Sequence, residues 1–186
     1  MTANRHTSLS LPQGGFTLIE VLVALIIVSI GLLGLAGLQS TSLKLTQGSY
    51  FRSLASQRAD EISERIRTNY KGFEDAAYYG IWGTPSALPA NMGCNQVFPG
   101  GTQTPPASGC TTGNMAKDDA FIWQKNNTIL LPSGFGVVCL DSTPEDGTPT
   151  APACSGDGSR VVVKIWWDES RAGGSATQRF VTIFQP

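Results

Sequence analysis

A single carboxylate, Glu20, stands inside the apolar stretch GGFTLIEVLVALIIVSIGLLGLAGLQ, residues 14–39, four positions after Phe16. The chemistry open to it there is charge pairing. A carboxylate in hydrocarbon costs ~2.5–3.5 kcal/mol on insertion scales and calls for a cation. Cleavage of the Gly15–Phe16 bond would create one, the amine of Phe16. Residues four apart share a helix face, so an intrachain pair is open to them; the bland alternative is a shallow Glu20 that snorkels to the interface. The small pair Gly14 and Gly15 precedes the apolar run, whereas a secretory signal places its small residues after it. A cut before Phe16 would discard a short polar leader and keep the hydrophobic helix.

Other reactive side chains are sparse. The only histidine is His6, inside that leader. Without an imidazole, Ser-His-Asp and Cys-His activation lose their base and a catalytic zinc site loses its usual ligand. The four cysteines, Cys94, Cys110, Cys139 and Cys154, show no C-x-x-C spacing, so zinc would need thiolates from distant loops and disulfides in an oxidising compartment are expected. Of the three connectivities, Cys94–Cys110 and Cys139–Cys154 each close a Pro/Gly-rich loop of about 15 residues, worth ~3 kcal/mol per bridge in the chain-entropy model. The acids Asp118-Asp119, Glu145-Asp146, Asp157 and Asp168-Glu169 could offer oxygens to calcium, but none follows an ordered calcium-loop pattern, and solvated turn residues are expected. Trp166-Trp167 would point to opposite faces of a strand, one into the core and the other toward a neighbouring subunit. No Gly-x-x-x-x-Gly-Lys loop occurs. No catalytic set, metal site or cofactor is expected, and the chain reads as a non-enzyme.

These residues need elements to position them. The chain has 186 residues, 41% hydrophobic, with 13 basic and 14 acidic side chains and a formal charge of −1. That size suits one core, and the charge offers no basic patch for nucleic acid. Loss of Arg5 with a leader leaves 12 basic against 14 acidic residues. Residues 16–38 are long enough to span a bilayer as a helix, which needs ~20 apolar residues. Gly31, Gly34 and Gly37 recur within it, with Ala36 beside them, and let helices approach closely or soften the helix locally. Residues 39–70 continue as an amphipathic helix: Phe51, Leu54, Ala55, Ala59, Ile62, Ile66 and Tyr70 form a stripe, and Glu61 with Arg65 an i,i+4 pair on a solvated charged face. Residues 71–186 form the head. Its stretch 71–118, rich in proline and glycine, is expected as a long ordered loop. Strand signals follow at Phe135–Leu140, Arg160–Trp167 and Arg179–Phe184, giving an antiparallel sheet with the helical stripe on one face. The fold class is α+β.

The order of a polar leader, Gly15-Phe16-Thr17-Leu18-Ile19-Glu20 and a membrane-length helix resembles type IV pilins and pseudopilins. The resemblance implies a leader of residues 1–15 removed by prepilin peptidase, an N-methylated Phe16, and a Glu20 that neutralises the terminus of a neighbouring subunit. It implies the type IV pilin fold, with the long helix packed on a small sheet and disulfide-stabilised loops. Gly37 stands where major pilins commonly carry a helix-breaking proline. Ser29–Gln39, Ala59–Asn69 and Leu131–Cys139 are further similar to the PilV group of minor pilins, leaving roughly 71–128 uncovered. That implies a subunit of a hetero-oligomeric filament or tip complex, priming pilus assembly and supporting adhesion and twitching motility. The implied partners are other minor pilins, the major pilin, the inner-membrane assembly platform and membrane lipid, without nucleic acid. The implied location is the bacterial inner membrane, single-pass with a periplasmic head, and later the extracellular pilus. The alternatives are a type II secretion pseudopilin, a tip adhesin or DNA-uptake pilin, and a signal-anchored periplasmic enzyme.

Overall fold

The computed structural model describes residues 14–84, 87–94, 109–157, 160–170 and 178–186. His6, Arg5 and the rest of 1–13 lie outside the described residues, as do 85–86 and 95–108 of the Pro/Gly-rich stretch. The chain divides into two units, Met1–Thr46 and Gln47–Pro186.

Helix α1 runs from Leu18 to Thr68, 51 residues without a proline. Thr17 begins it, its carbonyl accepting from Glu20 N at 3.1 Å and its hydroxyl from the same N–H at 3.4 Å. In the first unit every described residue up to Thr46 is exposed, and the helix holds a window apolar enough to cross a membrane by length and composition. In the second unit the same helix changes character. Phe51, Ala55, Ala59, Ile62 and Ile66 are buried along one stripe, the periodicity of an amphipathic helix on a core. Tyr70 departs from that stripe: α1 stops at Thr68, and Tyr70 begins the one-turn helix α2, Tyr70–Glu74, with its ring half exposed.

Residues 112–118, expected as loop, instead open α3, Thr112–Leu130. Thr111 caps it, its hydroxyl accepting from Asn114 N at 3.2 Å, as a Thr N-cap does for an otherwise unpaired helix N–H. The helix ends ahead of Pro132, which disfavours helical geometry at the residue before it. Its buried side is built from Ala116, Asp119, Ala120, Trp123 and Asn127. Those positions repeat at helical spacing, but small and polar types hide the signal from a hydrophobic count.

The sheet has strands β1 Phe135–Leu140, β2 Val161–Trp167 and β3 Gln178–Phe184 in the order β1-β2-β3, both pairs antiparallel. Cross-strand partners share a face. Gly136, Val138 and Leu140 share theirs with Ile165, Val163 and Val161, and with Phe180, Thr182 and Phe184. Trp123 of α3 lies on this face: a Cβ at Gly136 would come within 2.3 Å of its ring. Its indole N–H donates to the Arg58 carbonyl of α1 at 2.6 Å, so one tryptophan joins both helices to the sheet.

The opposite face carries Phe135, Val137 and Cys139 beside Trp166, Lys164 and Val162. It is covered as well. The Cys139–Cys154 disulfide, Cα atoms 6.0 Å apart, closes the segment 140–153, and Lys164 and Arg179 donate to that segment's carbonyls. Every residue of β2 is therefore buried. This corrects the expectation for the tryptophan pair: Trp166 stacks on Phe135 with ring centroids 6.1 Å apart, Trp167 belongs to the helix-side core, and neither is left for a neighbour.

Candidate functional site

The first candidate lies at the start of α1. Phe16 is 83% exposed and Glu20 sits in the first turn, where the positive end of the helix dipole favours a carboxylate. Phe16 precedes α1, but with Glu20, Val21, Ala24, Leu25 and Val28 of the helix it lines one strip of surface. The strip is apolar but for Glu20. Gly31, Gly34 and Gly37 lie further along the exposed helix, and a Cβ added at any of them meets nothing within 4 Å. The arrangement can do two things: present a peptide bond at 15–16 to a protease, and offer an apolar surface with one charge to another helix.

The second unit gathers polar groups whose roles sequence reasoning missed. Asp118 and Asp119, expected as solvated turn residues, are both buried on α3. Asp119 accepts the Tyr78 hydroxyl at 2.6 Å and pairs with Arg65 of α1 at 3.1 Å. Asn69 donates to the Tyr78 oxygen at 3.0 Å and to the Thr112 carbonyl at 2.9 Å. Burial, then the bond to Asp119, pushes the Tyr78 phenol far above its ordinary pKa. It stays protonated and serves as a donor. Arg65 loses some of its preference for charge to burial, but Glu61 and Asp119 outweigh that and hold it above its usual value. Its bond to Glu61, 3.0 Å, is the i,i+4 pair visible in the sequence; the reach to Asp119 makes part of the charged face a docking surface for α3. Asp118 accepts the backbone N–H groups of Met92 and Cys94 and so seats the Cys94–Cys110 disulfide, whose Cα atoms are 5.6 Å apart.

The other cluster centres on Lys164, completely buried in β2. Its ammonium pairs with Asp141 at 2.5 Å and Asp146 at 2.9 Å, and donates to the carbonyls of Asp146 at 3.2 Å and Pro152 at 3.0 Å. An ammonium has three protons and no acceptor capacity, and four surrounding oxygens satisfy it. Burial works to raise the Asp141 pKa, but Lys164 and the N–H groups of Thr143 and Ser155 outweigh it and hold the carboxyl below the usual range. Hydrogen bonds from Lys164 and Thr143 depress Asp146 likewise. Asp168 is also buried and accepts from Ser170 N at 2.9 Å and from its hydroxyl, whereas Glu145 and Asp157 are exposed. Among the described residues no group of three or more His, Cys, Asp or Glu could hold a metal ion. These clusters are ties between elements. A lysine in the middle of a β-branched run was the one sequence signal for the second of them.

Residues 11–36 match the family model of the prokaryotic N-terminal methylation motif. No curated protein and no solved structure matches the chain. The motif supports a type IV pilin-like chain, a pilin or a pseudopilin, whose N-terminal segment implies prepilin processing and assembly with other pilins. The apolar helix that follows fits membrane anchoring before assembly.

Proposed function

We propose that the chain is a minor pilin of a type IV pilus, similar to the PilV group, and that it acts as a structural and assembly subunit rather than an enzyme. Prepilin peptidase cuts between Gly15 and Phe16, and Phe16 is N-methylated. Residues 16–38 anchor the chain in the bacterial inner membrane, and 71–186 form a periplasmic head. The chain then joins other minor pilins at or near the pilus tip, where it primes assembly and supports adhesion and twitching motility. The observation that carries this reading is the methylation motif at 11–36 heading an exposed helix in which Glu20 is the one charged residue between 16 and 38. A carboxylate so placed needs a cation, and the amine that processing would create at Phe16 of an adjacent subunit supplies it. Gly37, in place of proline, favours a minor over a major subunit.

The motif serves pilins and pseudopilins alike, so the reading is tested on two levels. Mass spectrometry of the mature chain should find methylated Phe16 at its N terminus; any other terminus removes the pilin assignment. Co-purification should then recover pilus minor pilins, and recovery of secretion pseudopilins instead would move the chain to type II secretion.

A further inference from the structure

The two edges of the sheet are treated differently. Along β1, Gln124 of α3 turns its side-chain amide onto the strand. Gly136 N donates to Gln124 Oε1 at 3.1 Å and the Gln124 amide donates to the Gly136 carbonyl, so the amide imitates one residue of a neighbouring strand. Farther along, the Leu140 carbonyl accepts from Gly156 N at 3.0 Å. Folded proteins protect edge strands in this way, because an edge presents unpaired N–H and C=O groups to any passing strand.

Among the described residues β3 has no such cover. It keeps register with β2 from Gln178 to Phe184 without a bulge or a proline, and every residue but Phe184 retains some exposure. Among the described residues, none outside β2 hydrogen-bonds to its backbone. At the Phe184 end, Arg67, Arg160, Ile183, Phe184 and Gln185 line an open cleft of ≈ 640 Å³. Arg67 lies 5.9 Å from the Phe184 ring centroid and donates to the Gln185 carbonyl at 3.3 Å. It also pairs with exposed Glu64; Arg160 forms no ion pair among the described residues.

We propose that the outer edge of β3 receives an extended segment of a different chain as a fourth strand, with an acidic side chain at the Phe184 end facing Arg160 and Arg67. The backbone supplies the affinity and the charge supplies the choice of partner. A second copy of β3 is a poor occupant. Antiparallel pairing would bring its Arg179 to Arg160 and Arg67, and parallel pairing would set the cationic ends side by side; like charges across strands are destabilising. The proposal goes beyond the pilus reading and stands on the β3 edge and the two arginines beside it, so either can fail without the other.

The test uses the full-length chain in detergent and labelled synthetic peptides of alternating Val and Thr, with two aspartates at one end or the other. Fluorescence anisotropy should show saturable binding of at least one of them. Arg160→Glu should weaken that binding about tenfold, and peptides ending in two lysines should recover it. N-methylation of alternate peptide residues should abolish binding when it blocks one edge and spare it when it blocks the other. Absence of saturable binding up to about 1 mM would overturn the proposal, as would indifference to Arg160→Glu or equal binding of the two methylated forms. A peptide of Gln178–Phe184 that bound as tightly as the acidic one would overturn the choice of a different chain.

Discussion

Lys164 and Asp141 meet with both side chains withdrawn from solvent, Nζ 2.5 Å from Oδ2, beneath the segment that the Cys139–Cys154 disulfide closes. Removing one partner of such a pair strands the other charge in the interior, at a cost of ~3–5 kcal/mol, while replacing both with apolar groups is often neutral. Lys164→Met should therefore lower the denaturant midpoint of the full chain strongly. The double change Lys164→Met with Asp141→Leu should recover much of the loss. Equal stability of the single variant and the wild type would show that the pair does not hold the segment down.

Acid should find the same place. Asp141 and Asp146 have folded-state pKa values below the usual range, so the unfolded chain binds protons first as pH falls. Their contribution is complete above the unfolded carboxylate value of ~3.9 and is lost as pH falls through the lower folded values. Unfolding followed from neutral to acid pH should show that limb, and Asp141→Asn should flatten it while lowering stability at neutral pH. An acid limb of unchanged slope in Asp141→Asn would assign the effect to other carboxylates.

Tyr78 is the corresponding group on the alkaline side. Its pKa is raised by burial and by Asp119, so its contribution is complete below the unfolded tyrosine value of ~10 and is lost as pH rises above it. Tyr78→Phe removes a hydrogen bond to a charged acceptor and should cost ~1.5–3 kcal/mol. Ultraviolet titration should show Tyr78 ionising only as the chain unfolds, and Tyr78→Phe should remove that late absorbance change.

Glycines on the two units should respond in opposite ways. Gly136→Ala drives a methyl into the Trp123 ring, and overpacking of this kind costs ~1–3 kcal/mol. Gly31→Ala or Gly34→Ala meets open space and gains up to ~1 kcal/mol of helix propensity. The second unit should melt unchanged in these two variants. A fall in filament incorporation would then report helix packing between subunits, and unimpaired incorporation would leave the glycines as local softness.

Glu20→Ala separates processing from assembly. Leader cleavage should stay largely intact by mass spectrometry while the amount of the chain recovered in sheared filaments falls. Normal recovery would return Glu20 to a tolerated interfacial charge.

What the residues declared on their own was local. The run from Phe16 to Leu38, helical from Leu18 on, is membrane-length and singly charged whatever surrounds it, because backbone hydrogen bonding within the segment and apolar composition suffice. Three β-branched runs marked the strands to within a residue, since strand patterning is written at short range. Helix α3 was invisible because its buried stripe is made of Ala, Asp and Asn around one Trp, types that earn their place through partners on α1, the sheet and the 92–94 segment. The burial of the second face, Trp166 included, depended on the segment 140–153 folding over it, a choice made by Lys164 across 12 to 23 residues of chain. The unequal edges of the sheet have the same origin: the packing of α3 puts Gln124 on β1, and among the described residues no element packs so on β3. Local sequence determined the elements; long-range polar pairing, which no periodicity records, decided which of their faces and edges remain available.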